Sequence, residues 1–159
     1  MTEHRVKIAE WAVAAAPDTL AAIGLGSCVA IVLHDAKARV GGLAHVLLPA
    51  PVGAHAAEHP GRAPATAVPL VLAAMRAKGA NGAITARLVG GASLFGSLLG
   101  VDGDGVGARN IAASRAALAA ANVRVVGELV GGRIGRSVSF DVATGRCDVR
   151  ALGEGTRVL

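Results

Sequence analysis

Aromatic side chains are scarce in this chain, which has two Phe, one Trp and no Tyr among 159 residues. Proteins that bind single-stranded nucleic acids stack bases on aromatic rings, and the arginines here are scattered singly. Nucleic-acid binding is therefore not expected, although the formal net charge is +5. The basic charge instead favours attraction to an acidic protein partner. With so few rings, the core has to be built from Ala, Val, Leu and Ile.

Long hydrophobic runs are also missing. The apolar stretches at 11–16 and 65–75 are shorter than the roughly 18 residues that cross a bilayer. Glu3 and Glu10 interrupt the N-terminal region, which is therefore unlike a secretion signal. We expect a cytoplasmic protein without membrane insertion, folded as a single domain over residues 1–159.

Cysteine is limited to Cys28 and Cys147, with no paired spacing of the kind that binds zinc. A disulfide is not expected in a reducing compartment, so a free thiol is available. His55 and His59 are four residues apart, but they lack a helical context and a third ligand. We expect no metal and no cofactor, and Cys147, between Arg146 and Asp148, is interpreted as structural.

The pattern of apolar runs and turn formers predicts more strands than helices. Strands are predicted at 6–13, 20–23, 29–33, 40–48, 84–89, 123–130, 137–142, 146–152 and, at an edge, 156–159. Helices are predicted at 66–78, with Thr66 as N-cap and Gly79 as the stop, and at 110–121. Residues 50–64 and 90–107 are predicted loops, the first of them mobile enough to cover a site. The fold class is α+β: a layered sandwich of mostly antiparallel sheet flanked by two helices.

The two residues best suited to acyl-transfer chemistry lie in neighbouring predicted strands. A hairpin centred between Ala36 and Lys37 would set Cys28 directly opposite His45, with Cβ atoms about 4.5 to 5.5 Å apart. A slip of one residue would move His45 to the other face of the sheet. If the two side chains meet, the imidazole can promote the thiolate and later protonate a leaving amine. This pairing suits hydrolysis of an amide or an ester.

Small residues precede Cys28 in the sequence. Gly24 and Gly26 let a substrate approach the backbone closely. The N–H groups near Gly26, Ser27 and Cys28 are candidates for binding a developing oxyanion.

Several blocks of the sequence together resemble the chemoreceptor glutamine deamidase family, CheD. They are Gly24-Leu25-Gly26-Ser27-Cys28-Val29, Gly42-Leu43-Ala44-His45-Val46-Leu47-Leu48-Pro49, Gly90-Gly91-Ala92-Ser93-Leu94-Phe95, Gly107-Ala108-Arg109-Asn110, and Gly131-Gly132 with Arg136-Ser137. The resemblance covers nearly the whole chain. It implies a fold similar to the catalytic domain of the deamidating cytotoxic necrotizing toxins.

The resemblance also implies an activity: hydrolysis of specific glutamine side chains on methyl-accepting chemotaxis receptors to glutamate, with release of ammonia. The family's catalytic Cys and His correspond to Cys28 and His45, and Asn110 is a candidate supporting residue. A thioester on Cys28 would be the intermediate. The partners implied are the receptors and a CheC-type phosphatase.

The chain departs from the family at Ala22, where a Thr usually serves as the third catalytic member. Thr19 is an odd number of residues away and points to the opposite face of its strand. A main-chain carbonyl at or near position 22 could orient His45 instead. Residues 62–65 also lack the Tyr and Asp usual there. The alternative function is a non-catalytic chemotaxis adaptor that binds receptors or a CheC-type phosphatase.

Overall fold

A computed structural model describes residues 1–94 and 105–159 of the chain. The central part of the predicted 90–107 loop lies outside the described residues. The strands are β1 (Glu3–Arg5), β2 (Trp11–Ala15), β3 (Thr19–Leu25), β4 (Val29–Asp35), β5 (Val40–Val46), β6 (Thr85–Gly90), β7 (Arg124–Val130), β8 (Arg136–Asp141), β9 (Cys147–Ala151) and β10 (Gly155–Val158). The α-helices within those ranges are α1 (Pro64–Ala77) and α2 (Val106–Ala120).

The strands form two five-stranded sheets, in the order β1-β3-β8-β9-β10 and β2-β5-β4-β6-β7. Most pairs are antiparallel, while β1 with β3 and β6 with β7 are parallel. The predicted α+β class is confirmed, with the strands divided between two sheets. In the described part of the chain, no helix is long and apolar enough to cross a membrane.

Two apolar cores lie on opposite faces of the second sheet. One core lies between the sheets and includes Leu20, Ala30, Leu43 and Phe140. The other lies under the two helices and is built from alternate residues of the same strands, together with helix residues such as Val71. Strands β4 and β5 are buried throughout because both of their faces are covered. Both helices therefore pack on one side of the sandwich.

The predicted strand at 6–13 is wrong in its first part, because residues 6–10 belong to no strand and β2 begins only at Trp11. Strand β1 pairs with β3 in the first sheet and β2 pairs with β5 in the second. Residues 6–10, called the crossover below, connect them through a turn in which Ala9 has φ of 67°. A left-handed conformation ends regular strand pairing at that point.

Helix α1 begins two residues earlier than predicted, at Pro64, and its N-cap position is Ala63. Thr66 is therefore not the N-cap. Its hydroxyl donates to the Pro60 carbonyl at 2.6 Å and lies on the first helical turn. The predicted stop at Gly79 is confirmed, since this residue has φ of 113°. In the predicted loop before the helix, short 3-10 turns form at Ala56–Glu58 and Pro60–Arg62.

Candidate active site

The β4–β5 hairpin is formed as predicted, but its register differs by two residues. Ala30, and not Cys28, lies directly opposite His45. The turn is set by Asp35, whose carboxylate accepts hydrogen bonds from the N–H groups of Lys37 and Ala38. This Asx-type turn moves the centre of the hairpin toward the C-terminus by one residue. Because the shift in pairing is even, the face of each side chain is preserved.

Cys28 immediately precedes β4, on the face that Ala30 and His45 share. Continuing the register by one pair sets Cys28 opposite Leu47, so the thiol is diagonal to His45 across the hairpin. Diagonal partners are about 7 to 8 Å apart, within reach of larger side chains. Cys28 is half-buried and packs against the core between the sheets.

Residues 26–28, called the Cys loop below, are held through all three of their carbonyl groups. Gly26 accepts from the Ala92 N–H at 2.8 Å, and Cys28 accepts from the Gly91 N–H at 2.8 Å. The Ser27 carbonyl accepts from the Asn110 side chain at 2.9 Å. Among the residues that the structure describes, no carbonyl accepts from the N–H groups of Ser27 and Cys28. These N–H groups are candidates for binding an oxyanion.

Glycine is required where β6 ends beside the Cys loop. Gly90 has φ of 111°, and a Cβ there would overlap the Cys28 carbonyl. Gly91 has φ of 69°, and a Cβ there would overlap Ile111 of α2. The Gly90-Gly91 pair of the family pattern therefore lets β6 and α2 close around the Cys loop.

Asn110 lies on α2 and is fully buried. Its side-chain Nδ2 donates to the carbonyls of Ser27 at 2.9 Å and Leu47 at 3.2 Å. Its Oδ1 is buried without a hydrogen-bond partner among the described residues. The predicted supporting residue thus contacts the backbone beside Cys28 as well as the end of β5.

His45 is buried, with 2% of its surface exposed. Its Nδ1 lies 2.9 Å from the Val6 carbonyl oxygen. An oxygen of this kind only accepts, so Nδ1 donates and the neutral ring leaves Nε2 as an acceptor. Nε2 has no hydrogen-bond partner in the described chain, so the Cys28 thiol is not bonded to it in this conformation.

The crossover fixes the backbone of His45 as well as its ring. The His45 N–H donates to the Glu10 carbonyl at 3.0 Å, and the His45 carbonyl accepts from Ala9 at 2.9 Å. The carbonyl that contacts the ring belongs to Val6 and not to Ala22, so the expected backbone role at position 22 is corrected. Ala22 is fully buried between the sheets, opposite Val138. Sequence reasoning missed Val6 because a carbonyl carries no residue-specific signal.

Burial affects the two candidate catalytic groups in opposite directions. It raises the pKa of the Cys28 thiol, and the residue's own N–H opposes this shift only in part. Burial lowers the pKa of His45, outweighing the Val6 carbonyl and the charge of Glu10. Both shifts disfavour the charged form, so thiol and imidazole rest in their neutral states near pH 7.

A groove of about 530 Å³ lies beside the Cys loop. Gly24, Leu25, Gly26 and Leu94 form one side, and residues of the 135–137 and 150–155 segments form the other. Its walls are mainly apolar but carry two cationic side chains, Arg136 and Arg150. Large hydrophobic side chains are exposed here, with Leu152 at 78% and Leu94 at 47%. Such a surface suits an extended or helical protein segment.

The remaining sequence candidates lie away from this site. Cys147 is fully buried in β9, and burial raises its pKa to about 11, which fits the structural interpretation. His55 contacts Glu58 on the exposed loop. Within residues 1–94 and 105–159, no three His, Cys, Asp or Glu side chains lie together as a metal site would need.

A thiol and an imidazole on one face of a hairpin, beside backbone N–H groups to which no described carbonyl is bonded, are the elements that cysteine hydrolases use. The family model described as CheD chemotactic sensory transduction matches residues 47–151. The chain belongs to this CheD family, as its sequence pattern predicts. The matched segment begins two residues after His45, whereas matches to individual relatives extend over nearly all of the chain.

Three relatives illustrate the similarity. A probable chemoreceptor glutamine deamidase CheD of Desulforamulus reducens is 35% identical over 99% of this chain and 95% of its own length. Probable chemoreceptor glutamine deamidase CheD 2 of Geobacter metallireducens is 44% identical over 92% of both chains. The chemoreceptor glutamine deamidase CheD of Thermotoga maritima is 36% identical over 96% of this chain and 94% of its own.

Proposed function

We propose that this protein is a protein-glutamine glutaminase that hydrolyses selected glutamine side chains of methyl-accepting chemotaxis receptors to glutamate and releases ammonia. Membership of a family whose relatives are named chemoreceptor glutamine deamidases supports the reaction class. The observation that carries the assignment of residues is the buried His45 ring. Its Nδ1 is bonded to Val6, and its Nε2, on the face shared with Cys28, has no partner among residues 1–94 and 105–159.

In the proposed mechanism Cys28 is the nucleophile and His45 is the base. As substrate binds, the Sγ proton passes to His45 Nε2, and the thiolate attacks the carboxamide carbon of the glutamine. The tetrahedral oxyanion accepts hydrogen bonds from the N–H groups of Cys28 and Ser27. Protonated His45 then gives its proton to the departing nitrogen, leaving ammonia and a thioester. Water, deprotonated by His45, hydrolyses the thioester to glutamate and restores the thiol.

The resting geometry is compatible with this sequence of steps. Hydrogen bonds between catalytic groups commonly form only when substrate is bound. A neutral imidazole is the form that can accept the thiol proton, and the direction of its pKa shift supports that form at neutral pH. The receptor segment around the glutamine would occupy the groove beside the Cys loop, where Arg136 and Arg150 favour acidic neighbours.

We also propose that the protein is located in the cytoplasm and that residues 1–159 form one domain. Similarity to the catalytic domain of cytotoxic necrotizing toxins stays a prediction. The alternative is a non-catalytic adaptor that binds receptors or a CheC-type phosphatase. The departure from the family pattern at Ala22 favours this alternative. A non-catalytic adaptor would bind its partner without releasing ammonia.

The decisive test is ammonia release from a purified receptor, together with mass spectrometry of its glutamines. Wild-type protein should deamidate the receptor and Cys28→Ser should not, since a serine hydroxyl is far less ionised than a thiol. Circular dichroism should show that the variant is folded. Cys147→Ser is the matched control, because it removes the other thiol from a fully buried position. Equal ammonia release by wild type and Cys28→Ser would exclude Cys28 as nucleophile.

A further inference from the structure

The hairpin that carries the site has an open end at Cys28. The last hydrogen-bonded register pair there is Val29 with Val46. Beyond it, β5 turns away, because the N–H groups of Leu47 and Leu48 both donate to the Arg62 carbonyl. Cys28 with Leu47 would be the next, non-hydrogen-bonded pair of an antiparallel ladder. The pair after it, Ser27 with Leu48, makes no ladder bond because the Leu48 N–H donates to Arg62.

Asn110 closes this open end. Its Nδ2 donates to Ser27, one residue before Cys28, and to Leu47, the residue opposite Cys28. We infer that Asn110 is a positioning residue, whose side-chain amide ties the Cys loop to the end of β5 and so fixes the thiol relative to His45. This inference rests on the proposed function for its catalytic consequence, but its structural part does not.

This link requires one side-chain nitrogen that donates two hydrogen bonds. Both partners are carbonyl oxygens, and the NH₂ group of an amide supplies one hydrogen to each. An ionised aspartate of the same shape supplies none, a protonated one supplies a single donor, and an apolar residue supplies none. The Ser114 hydroxyl donates to the Asn110 carbonyl at 2.7 Å, a bond within α2 that does not involve the side-chain amide.

The other half of the amide argues against a purely structural role. Oδ1 is buried without a partner in the described chain, and an unsatisfied buried acceptor costs about 1–3 kcal/mol. An apolar side chain in this position would avoid that cost while filling the space. A polar residue whose Oδ1 has no partner in the described chain is explained if its two donors are needed to hold the Cys loop.

The test compares Asn110→Asp with wild type and with Ser114→Ala. The Asp variant keeps the shape and removes both donors. Ser114→Ala removes one buried hydrogen bond from the same helix without contacting Ser27 or Leu47. The receptor-free measurement is alkylation by iodoacetamide across pH, with mass spectrometry assigning modification to Cys28 or Cys147. Cys147 is fully buried and therefore reports global unfolding.

Burial raises the pKa of the Cys28 thiol in the wild-type protein. Release of the Cys loop should expose this thiol to solvent. We expect Cys28 of Asn110→Asp and of the uncharged Asn110→Ala to react about threefold faster or more at neutral pH, with Cys147 unmodified. The pH midpoint should fall in Asn110→Ala, where no new carboxylate opposes the thiolate. Deamidation should change in the opposite direction, with kcat reduced about tenfold or more and KM nearly unchanged. Ser114→Ala should match wild type in both assays.

Two results would overturn the inference. One is unchanged Cys28 alkylation in a folded Asn110→Asp protein. The other is modification of Cys147 at the same rate as Cys28 in both Asn110→Asp and the uncharged Asn110→Ala. That result would mean that Asn110 only stabilises the fold. If wild type releases no ammonia, the proposed function fails, yet the alkylation result still decides whether Asn110 holds the Cys loop.

Discussion

The Nδ1 atom of His45 lies 2.9 Å from the carbonyl oxygen of Val6, in the crossover between the two sheets. The Val6 N–H in turn donates to the Ala21 carbonyl of β3 at 2.8 Å. The ring is thus oriented through backbone groups alone, and the β3 segment next to Ala22 supports it indirectly. This relay explains how the site can be ordered without a hydroxyl at position 22.

Gly61 should be essential for the crossover. A Cβ at this position would overlap the Ala9 carbonyl and contact Trp11. We expect Gly61→Ala to lower the free energy of unfolding by about 1–3 kcal/mol through overpacking. Since the crossover holds both the ring and the backbone of His45, kcat for ammonia release should fall as well. Urea denaturation and the ammonia assay measure the two effects.

Glu58→Ala is the control for this prediction, because Glu58 is exposed on the same loop. Its effect on stability should stay within about 0.5 kcal/mol. A Gly61→Ala protein with wild-type stability and turnover would show that the crossover tolerates displacement and does not control the ring.

Stability should depend on pH through His45. Burial lowers the pKa of His45 in the folded protein below its ordinary value near 6.5. At pH values between these two pKa values, the unfolded chain binds more protons than the folded protein. The free energy of unfolding should therefore rise with pH through this window, by at most about 1.4 kcal/mol per pH unit, and level off above about 6.5. The stabilisation is lost as pH falls toward the lowered pKa.

Urea denaturation of wild type and His45→Gln between pH 5 and 7 tests this prediction. The carboxylates whose pKa is lowered, Asp18, Asp35 and Glu128, start from ordinary values of 3.8, 3.8 and 4.5 and titrate below the window. The Gln variant should lose the rise. A slope of the same size in both proteins would assign the dependence to other groups.

Receptor binding should weaken as salt is added, because the chain carries a formal net charge of +5. Arg150 lines the groove beside the Cys loop, whereas Arg76 is exposed on α1 and lines a different groove. Replacing Arg150 with Gln should reduce the salt dependence of the affinity more than Arg76→Gln does. Affinity that is independent of salt would contradict electrostatic attraction of the receptor.

Periodicity and turn residues were sufficient to predict the β4–β5 hairpin, α1 and most other strands. The face shared by the thiol and the imidazole was also predictable, because a two-residue error in register keeps every side chain on its face. The register itself depends on hydrogen bonds that the Lys37 and Ala38 N–H groups donate to the Asp35 carboxylate. An Asp at the end of a strand predicts a turn but does not by itself determine the pairing.

The crossover could not be predicted because its distinctive conformation belongs to an alanine. Ala9 adopts φ of 67°, and alanine rarely marks such a position. The apolar residues on either side of Ala9 predict one strand, but in the structure residues 6–10 form no strand and β2 begins at Trp11. The link from Asn110 to the Cys loop joins residues 83 positions apart and needs the packed α2 helix to form.

Ala22 is the position where the mechanism is most open to test. A Thr hydroxyl at position 22 could not accept a hydrogen bond from the ring of His45, because the Nδ1–H already donates to the Val6 carbonyl. It could only donate to Nε2, the atom proposed to receive the thiol proton. We therefore expect Ala22→Thr to change turnover only modestly, within about tenfold. Ammonia release on the same receptor measures the change.

The matched control is Ala22→Val, which has nearly the shape of Thr without its hydroxyl. Ala22 is fully buried between the sheets, so both variants add two atoms to a packed core and should cost about 1–3 kcal/mol of stability. Comparing them separates this packing effect from any effect of the hydroxyl. If Ala22→Thr exceeded both Ala22→Val and wild type by more than about a hundredfold, a hydroxyl would be the missing orienting group. The Val6 carbonyl would then be insufficient to orient His45, and the natural protein would be closer to a receptor-binding adaptor than to an efficient deamidase.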